Sequence, residues 1–220
     1  MGSACAAPAR IEDTAAARLA ACTTCHGREG RAAADGWHPR IAGKPAGYLL
    51  NQLRNFRDGR RHYGPMAGLV GLLPDATLAD IARHFAALDL PHPPPVAANE
   101  APAVLARGRQ LALQGDAAKG LPACAACHGL ALTGVQPATP GLLGLPRDYL
   151  TGQLGAWVHG QRRAQAPDCM ADIARRLDGA DLVAVSAWLA AQPVPAAAHA
   201  AEAAPQPPPL RCGSVPEPAR

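Results

Sequence analysis

The sequence predicts an all-α fold made of two tandem copies of one helical unit. Three observations carry this expectation. A block near the N-terminus returns about a hundred residues later, each copy holds apolar residues at helical spacing between Pro and Gly breaks, and a Pro-rich stretch separates the copies. The Cys22-Thr23-Thr24-Cys25-His26 block returns 102 residues on as Cys124-Ala125-Ala126-Cys127-His128. Pro39, Tyr48, Gln52 and Gly59 return 101 residues on as Pro140, Tyr149, Gln153 and Gly160. Leu78, Ile81 and Phe85 match Leu182, Val185 and Leu189 at 104, so about three residues are inserted between the two blocks.

Within the first unit, 13–90, an Ala-rich amphipathic helix opens at Asp13 or Thr14 and delivers the cysteine block at its end. A second helix starts at Pro45, carries Tyr48, Leu49, Gln52, Leu53 and Phe56 at helical spacing, and stops at Gly59. Thr77 to Asp80 has the character of a capping box opening a third helix, whose apolar face is Leu78, Ile81, Phe85 and Leu88. In the second unit, 103–192, the counterparts run roughly from Val104 to Gln114, Pro146 to Val158 and Asp181 to Ala191. The intervening segment 91–102 cannot continue a helix and reads as an extended linker. Beyond Pro193 the Ala- and Pro-rich tail 193–220 lacks apolar periodicity, so a loosely ordered segment is expected.

Residues 1–12 read as an N-terminal extension or the remnant of an export leader, because Ala4-Cys5-Ala6 has the small-residue pattern of a signal-peptidase site. Lipidation of Cys5 competes with that reading, and Gly2 stands against it. The formal charge of +4 is modest and its Lys and Arg are scattered, which argues against a nucleic-acid partner. No apolar run approaches a membrane span.

The composition is 49% apolar but only 4% aromatic, so ordinary side chains give each unit a thin core that a buried cofactor would fill. The repeated Cys-x-x-Cys-His supplies one. Its two thiols can form thioethers to the vinyl groups of a haem while the histidine reaches the iron. This makes Cys22, Cys25, Cys124 and Cys127 attachment residues for two covalently bound haem c groups, with His26 and His128 as axial ligands. Half a zinc site and a thioredoxin-like pair are the alternatives for a single motif. Two copies in matching contexts, neither beside a second Cys-x-x-Cys nor in a βαβ pattern, argue against both.

A six-coordinate iron needs a ligand on its other face. Apart from Met1 the methionines are Met66, 40 residues after His26, and Met170, 42 residues after His128. Both are expected in the loop before the last helix of their unit. A methionine is more often a core gap-filler, but here the whole remaining supply falls at equivalent positions, which favours Met66 and Met170 as the second axial ligands. His62, His84 and His159 compete for the role; His84 reads as a packed histidine near an apolar face, and His62 and His159 are not equivalent in the repeat. His/Met ligation favours ferrous iron and fills both axial positions, which points to electron transfer rather than catalysis. Pro39 and Pro140 could offer the carbonyls that orient the ligating imidazoles, although a proline in a turn is the plainer reading. Of seven cysteines, Cys5, Cys169 and Cys212 remain. Cys169 and Cys212 form a natural disulfide pair in an oxidising compartment, two free thiols being the alternative.

The run from Arg40 through Ile-Ala-Gly-Lys-Pro-Ala-Gly-Tyr-Leu-Leu-Asn-Gln-Leu-Arg-Asn-Phe-Arg-Asp-Gly to Arg60, followed by Pro65-Met66 and the Leu78 to Leu88 helix, resembles the cytochrome c4 family of dihaem cytochromes. The likeness covers roughly Thr14 to Gln192. It implies two class I cytochrome c folds related by a pseudo-twofold axis, with haem propionates near the join. It also implies a periplasmic carrier that takes electrons from a quinol-oxidising complex or a dehydrogenase and feeds a terminal haem-copper oxidase, with peripheral membrane association in some members. Three features depart from the pattern: the looser second unit, with Pro140 to Pro146 and Trp157-Val-His-Gly160; Cys169 immediately before Met170; and the added tail. Competing functions are a dihaem redox enzyme, similar to a thiosulfate dehydrogenase or a peroxidase, and a fixed cytochrome subunit of a larger dehydrogenase or oxidase complex.

Overall fold

The computed structural model describes residues 14–33, 35–196, 198–204 and 206–216. The expected leader and Cys5 lie outside them. Thr14 caps the first helix, α1 (Ala15–His26), its hydroxyl accepting from the Ala17 amide at 3.1 Å. The helix runs through the whole cysteine block, so Cys22 and His26 leave successive turns of one rigid element. α2 (Ala46–Arg57) starts after Pro45 and ends at Asp58, with Gly59 at φ +72° turning the chain away.

The expected loop around Met66 is instead a short helix, α3 (Gly64–Val70). α4 (Asp75–Ala86) begins two residues before the expected capping box, with Pro74 at the cap position and Asp75 facing the positive end of the helix dipole, so Thr77 lies inside the first turn. Leu49, Ile81, Ala82 and Phe85 form the core between α2 and α4, and Leu19 and Cys22 bring α1 to its edge. A second cluster, Phe56, Val70 and Leu78, seats α3 with Met66 packed on it. Fully burying side chains such as Leu78, Phe85 and Val70 contributes roughly 2 kcal/mol each.

No helix spans residues 88–101. This stretch is held to the first unit by buried Arg40, whose guanidinium donates to the carbonyls of Ala42 and Pro91, both at 3.1 Å, and of Leu90. The second unit comprises α5 (Pro102–Leu113), α6 (Ala125–His128), the two-residue strands β1 (Gly134–Val135) and β2 (Thr139–Pro140), α7 (Arg147–Val158), α8 (Cys169–Arg176) and α9 (Gly179–Ala190). The strands pair antiparallel, Gly134 with Pro140 and Val135 with Thr139, a small exception within a mostly helical fold. Leu111, Ala112, Tyr149, Leu150, Val185 and Leu189 make the core where α5, α7 and α9 meet. α5 and α9 approach so closely that a Cβ on Gly108 would lie 2.1 Å from the Ala184 carbonyl oxygen.

The two units join through a backbone contact with internal symmetry. Arg61 and Arg162 form an antiparallel bridge, flanked by His62 N–H to the Gln161 carbonyl at 2.8 Å and Arg163 N–H to the Arg60 carbonyl at 2.7 Å. The partners exchange roles under the 101-residue offset, as a twofold relationship requires. The tail, expected to be loosely ordered, returns across the second unit. The Ala201 amide donates to the Gly134 carbonyl at 2.9 Å, the Ala201 carbonyl accepts from Gln136 at 2.8 Å, and Cys212 is disulfide-bonded to Cys169. The disulfide joins the two cysteines paired from the sequence, whereas composition gave no sign of the Ala201 contacts, which depend on no apolar face.

Candidate functional site

Each unit holds one apolar cavity against its Cys-x-x-Cys-His block. The first, of about 450 Å³, has Cys22, His26 and Met66 on its wall; Cys25 is exposed and lies outside the lining. The second, of about 390 Å³, is lined by Cys124, Cys127, His128 and Met170. The predicted residues of each half therefore converge on one cavity, Cys25 apart.

A glycine follows each histidine because the chain turns back on itself there. Gly27 and Gly129 have φ of +75° and +82°, and a Cβ on Gly27 would lie 2.2 Å from the Ala32 carbonyl oxygen. The returning chain presents a proline carbonyl to the imidazole. His26 Nδ1 lies 2.8 Å from the Pro39 oxygen and His128 Nδ1 lies 2.7 Å from the Pro140 oxygen, with β2 holding the second carbonyl in place. Because a carbonyl can only accept, Nδ1 carries the proton and Nε2 keeps its lone pair. Both rings are nearly buried, and burial lowers both pKa values, outweighing the proline hydrogen bonds and favouring neutral imidazole.

Three of the four thiols sit in similarly dry surroundings, Cys25 being exposed. Burial raises Cys22 and Cys127, and pushes Cys124 up to about 11. No group of three or more His, Cys, Asp or Glu that could hold a metal ion occurs among the described residues. Cys124 and Cys127 on the second apolar cavity and Cys22 on the first, each set beside one imidazole with a fixed tautomer and one thioether, fit a covalently attached haem far better than a zinc centre.

Met66 and Met170 are placed by helices rather than loops. Met66 lies in the first turn of α3 against Phe56, Val70 and Leu78, and Met170 lies in the first turn of α8 beside Trp157, Ala171 and Ala174. Asp168 caps α8 through its carboxylate, which accepts from the Ala171 amide at 3.1 Å. Of the competing histidines, exposed His62 lines the first cavity, while His84 and His159 line neither. His84 is exposed with its ring edge on Phe85 rather than packed within the core.

Between the cavities stands a shared polar wall: Lys44, Tyr48, Gln52, Tyr149, Gln153 and Arg162 line both. Arg61 donates to Gln52 Oε1 at 2.9 Å and Gln153 Oε1 at 2.6 Å, and Arg162 donates to the same two oxygens at 3.1 and 2.9 Å. Each guanidinium also covers a ring five residues back, Arg61 over Phe56 at 4.5 Å and Arg162 over Trp157 at 3.8 Å. Burial lowers Lys44 to about 8 and lowers Arg162, whose bonding partners here are neutral. A cationic wall without a carboxylate suits the acidic edge of a haem on either side. Sequence reasoning paired the tyrosines and glutamines as repeat matches but assigned them no role, and passed over Arg61 and Arg162, which share the same 101-residue offset.

The second cavity has one feature without a counterpart. Pro208, Leu210, Cys212, Ser214 and Val215 of the tail form part of its wall, and among the described residues none of the tail lines the first.

No family model matches the chain. It is 38% identical over 178 residues to a thiosulfate dehydrogenase electron acceptor of Thiomonas intermedia, covering 80% of both chains. It is 34% identical over 175 residues to cytochrome c4 of Pseudomonas aeruginosa, covering 79% of this chain and 84% of that one. Among solved structures, reduced recombinant cytochrome c4 from Pseudomonas stutzeri matches with a TM-score of 0.66 at 28% identity, over 78% of this chain and 93% of that one. Thiosulfate dehydrogenase TsdBA from Marichromatium purpuratum matches with a TM-score of 0.69 at 34% identity, over 78% of this chain but only 36% of that longer one. With two Cys-x-x-Cys-His cavities, a doubled helical unit and these relatives, the chain belongs to the cytochrome c4 family, all-α dihaem electron-transfer proteins that carry two covalently bound haem c groups.

Proposed function

We propose that this cytochrome is a periplasmic carrier that takes single electrons from a dehydrogenase, of the kind that oxidises thiosulfate, and passes them to a terminal acceptor such as a haem-copper oxidase. The observation that carries the reading is the wall common to both cavities, which keeps the two sites within one continuous protein medium. The relatives named as electron acceptors of thiosulfate dehydrogenase support the choice of donor.

When bound, each haem supplies a one-electron iron couple. In this reading Cys22 and Cys25 hold the first haem and Cys124 and Cys127 the second, through thioether bonds. His26 with Met66, and His128 with Met170, would ligate the two irons, a set of protein ligands that favours a carrier over an enzyme. Pro39 and Pro140 hold the imidazole protons on Nδ1, so that neither ring turns. The apolar cavity walls exclude water, and the thioether sulfurs favour the ferrous state. Lys44 and Arg162, which line both cavities, and Arg61, which lines the first, would offset the negative charge of haem carboxylates there.

Mixing the oxidised holoprotein with thiosulfate and a thiosulfate-oxidising dehydrogenase tests the reading. Reduction of both haems only when the dehydrogenase is present is the expected result. Reduction by thiosulfate alone would make this chain an enzyme, and no reduction in either mixture would remove the proposed donor.

A further inference from the structure

The two units also meet at the start of α2, and there the twofold relationship fails. Gly47 is the second residue of α2, so its amide is one of those that a helix start leaves without a partner inside the helix. It donates to the Pro137 carbonyl of the second unit at 3.0 Å. A Cβ at Gly47 would lie 2.7 Å from that oxygen and 3.3 Å from the Ala138 Cβ. Glycine is a poor helix former and its backbone here is helical, so what it supplies is the close approach. Lys44 and Tyr48, on either side of it in the chain, line the second cavity together with Ala138.

Pro137 lies in the turn between β1 and β2, and beyond it Pro140 presents the carbonyl that accepts from His128 Nδ1 at 2.7 Å. The ladder between them is short: Gly134 pairs with Pro140 and Val135 with Thr139. β1 is held on its other edge by Ala201, which donates to the Gly134 carbonyl and accepts from the Gln136 amide. A push on the turn is therefore taken up by β2, the strand that carries Pro140. The first unit has no such linkage. Under the 101-residue offset the counterpart of Gly47 is Asp148, which is exposed. Among the described residues no backbone hydrogen bond joins residues 144–150 to the 27–43 turn that carries Pro39. Contact there is ordinary van der Waals contact: a Cβ on Gly36 would lie 3.9 Å from the Pro146 Cβ, and one on Gly152 3.6 Å from the Trp37 ring.

We propose that Gly47 of the first unit is a positioning residue for the second iron site: seated on Pro137, it keeps the hairpin where Pro140 holds the His128 proton, and so lowers the potential of the second haem. This role rests on the reading that His128 ligates that haem. The hydrogen bond to the proline carbonyl makes the imidazole more basic, which favours ferric iron, and a weaker bond favours ferrous iron. Docking of the first unit thus tunes the second site through backbone contacts, and no equivalent contact runs the other way among the described residues.

The test compares holoprotein, shown by mass to carry two haems, in three forms: the parent, Gly47→Ala, and Asp148→Ala as the control at the equivalent position. Redox titration is followed by NMR so that each haem is read separately. At a fixed ambient potential the ferrous-to-ferric ratio of the second haem is expected to rise several-fold in Gly47→Ala, with the first haem unmoved, and neither haem moves in Asp148→Ala. Linkage supplies a check that needs no substitution, because a contact that biases the iron is itself biased by the iron. In the parent protein the Gly47 amide should exchange its hydrogen more slowly in the ferric than in the ferrous state, measured relative to the His62 amide, which donates to Gln161 elsewhere on the join. An unmoved second haem in Gly47→Ala would overturn the role. Should that variant not assemble with two haems, equal relative exchange at Gly47 in the two states would overturn it. A ferrous parent spectrum with only one set of imidazole protons shifted by a haem ring would overturn the ligand assignment instead.

Discussion

Arg61 and Arg162 face each other across the join of the two units, paired through their backbones and sharing the same two acceptor oxygens on Gln52 and Gln153. Two guanidiniums held this closely with neutral acceptors are tolerated only while every oxygen is in place. Gln153→Leu removes the acceptor at 2.6 Å from one arginine and 2.9 Å from the other. A cost of about 2 kcal/mol in denaturant unfolding is expected, because hydrogen bonds to charged groups are worth more than neutral ones. Gln52→Leu costs a similar amount, and the double variant costs less than the sum, since both single changes disturb one network.

The crossing of α5 and α9 has no room for another atom at Gly108. Gly108→Ala forces the two backbones apart, and a loss of about 3 kcal/mol is expected, at the upper end for overpacking because the contact is with a carbonyl rather than a flexible side chain. Thermal unfolding followed in the haem absorption band measures it, with Gly155→Ala, which meets nothing within 4 Å, as the control.

Acid stability of the second unit depends on Asp181, which is 3% exposed and accepts from Arg107 at 2.8 Å and Lys119 at 2.5 Å. Burial alone would raise its pKa, but the two cations outweigh burial and hold it below the usual carboxylate value. A carboxylate depressed in the folded state contributes stability that is complete above about pH 4 and is lost as pH falls through its folded value. Asp181→Asn should therefore cost about 3 kcal/mol at neutral pH, and the gap from the parent protein should close on acidification below about pH 4. A constant gap down to pH 2 would contradict this.

What was legible in the chain followed from spacing. The cysteine blocks, the matched tyrosines and glutamines and the three long helices of each unit all declare themselves by period or repeat. α3 and α8 do not, because seven or eight residues span barely two turns and leave too few apolar positions to show a 3.6-residue period. Met66 and Met170 were accordingly expected in loops. The start of α4 was misjudged because Thr77-Leu-Ala-Asp80 has the letters of a cap, while Pro74 and Asp75 set the true start. The tail's disulfide was legible from the cysteine count, but its contacts through Gly213 and Ser214 act one residue at a time, a kind of order that composition does not report.

The central claim is that each iron sits between an imidazole and a thioether sulfur, and the far-red absorption of the ferric holoprotein tests it most directly. The account predicts a thioether band with the intensity of two haems, reduced by half in Met66→His, by half in Met170→His, and absent in the double variant. A band worth one haem in the parent protein, or one that survives both substitutions, would contradict it.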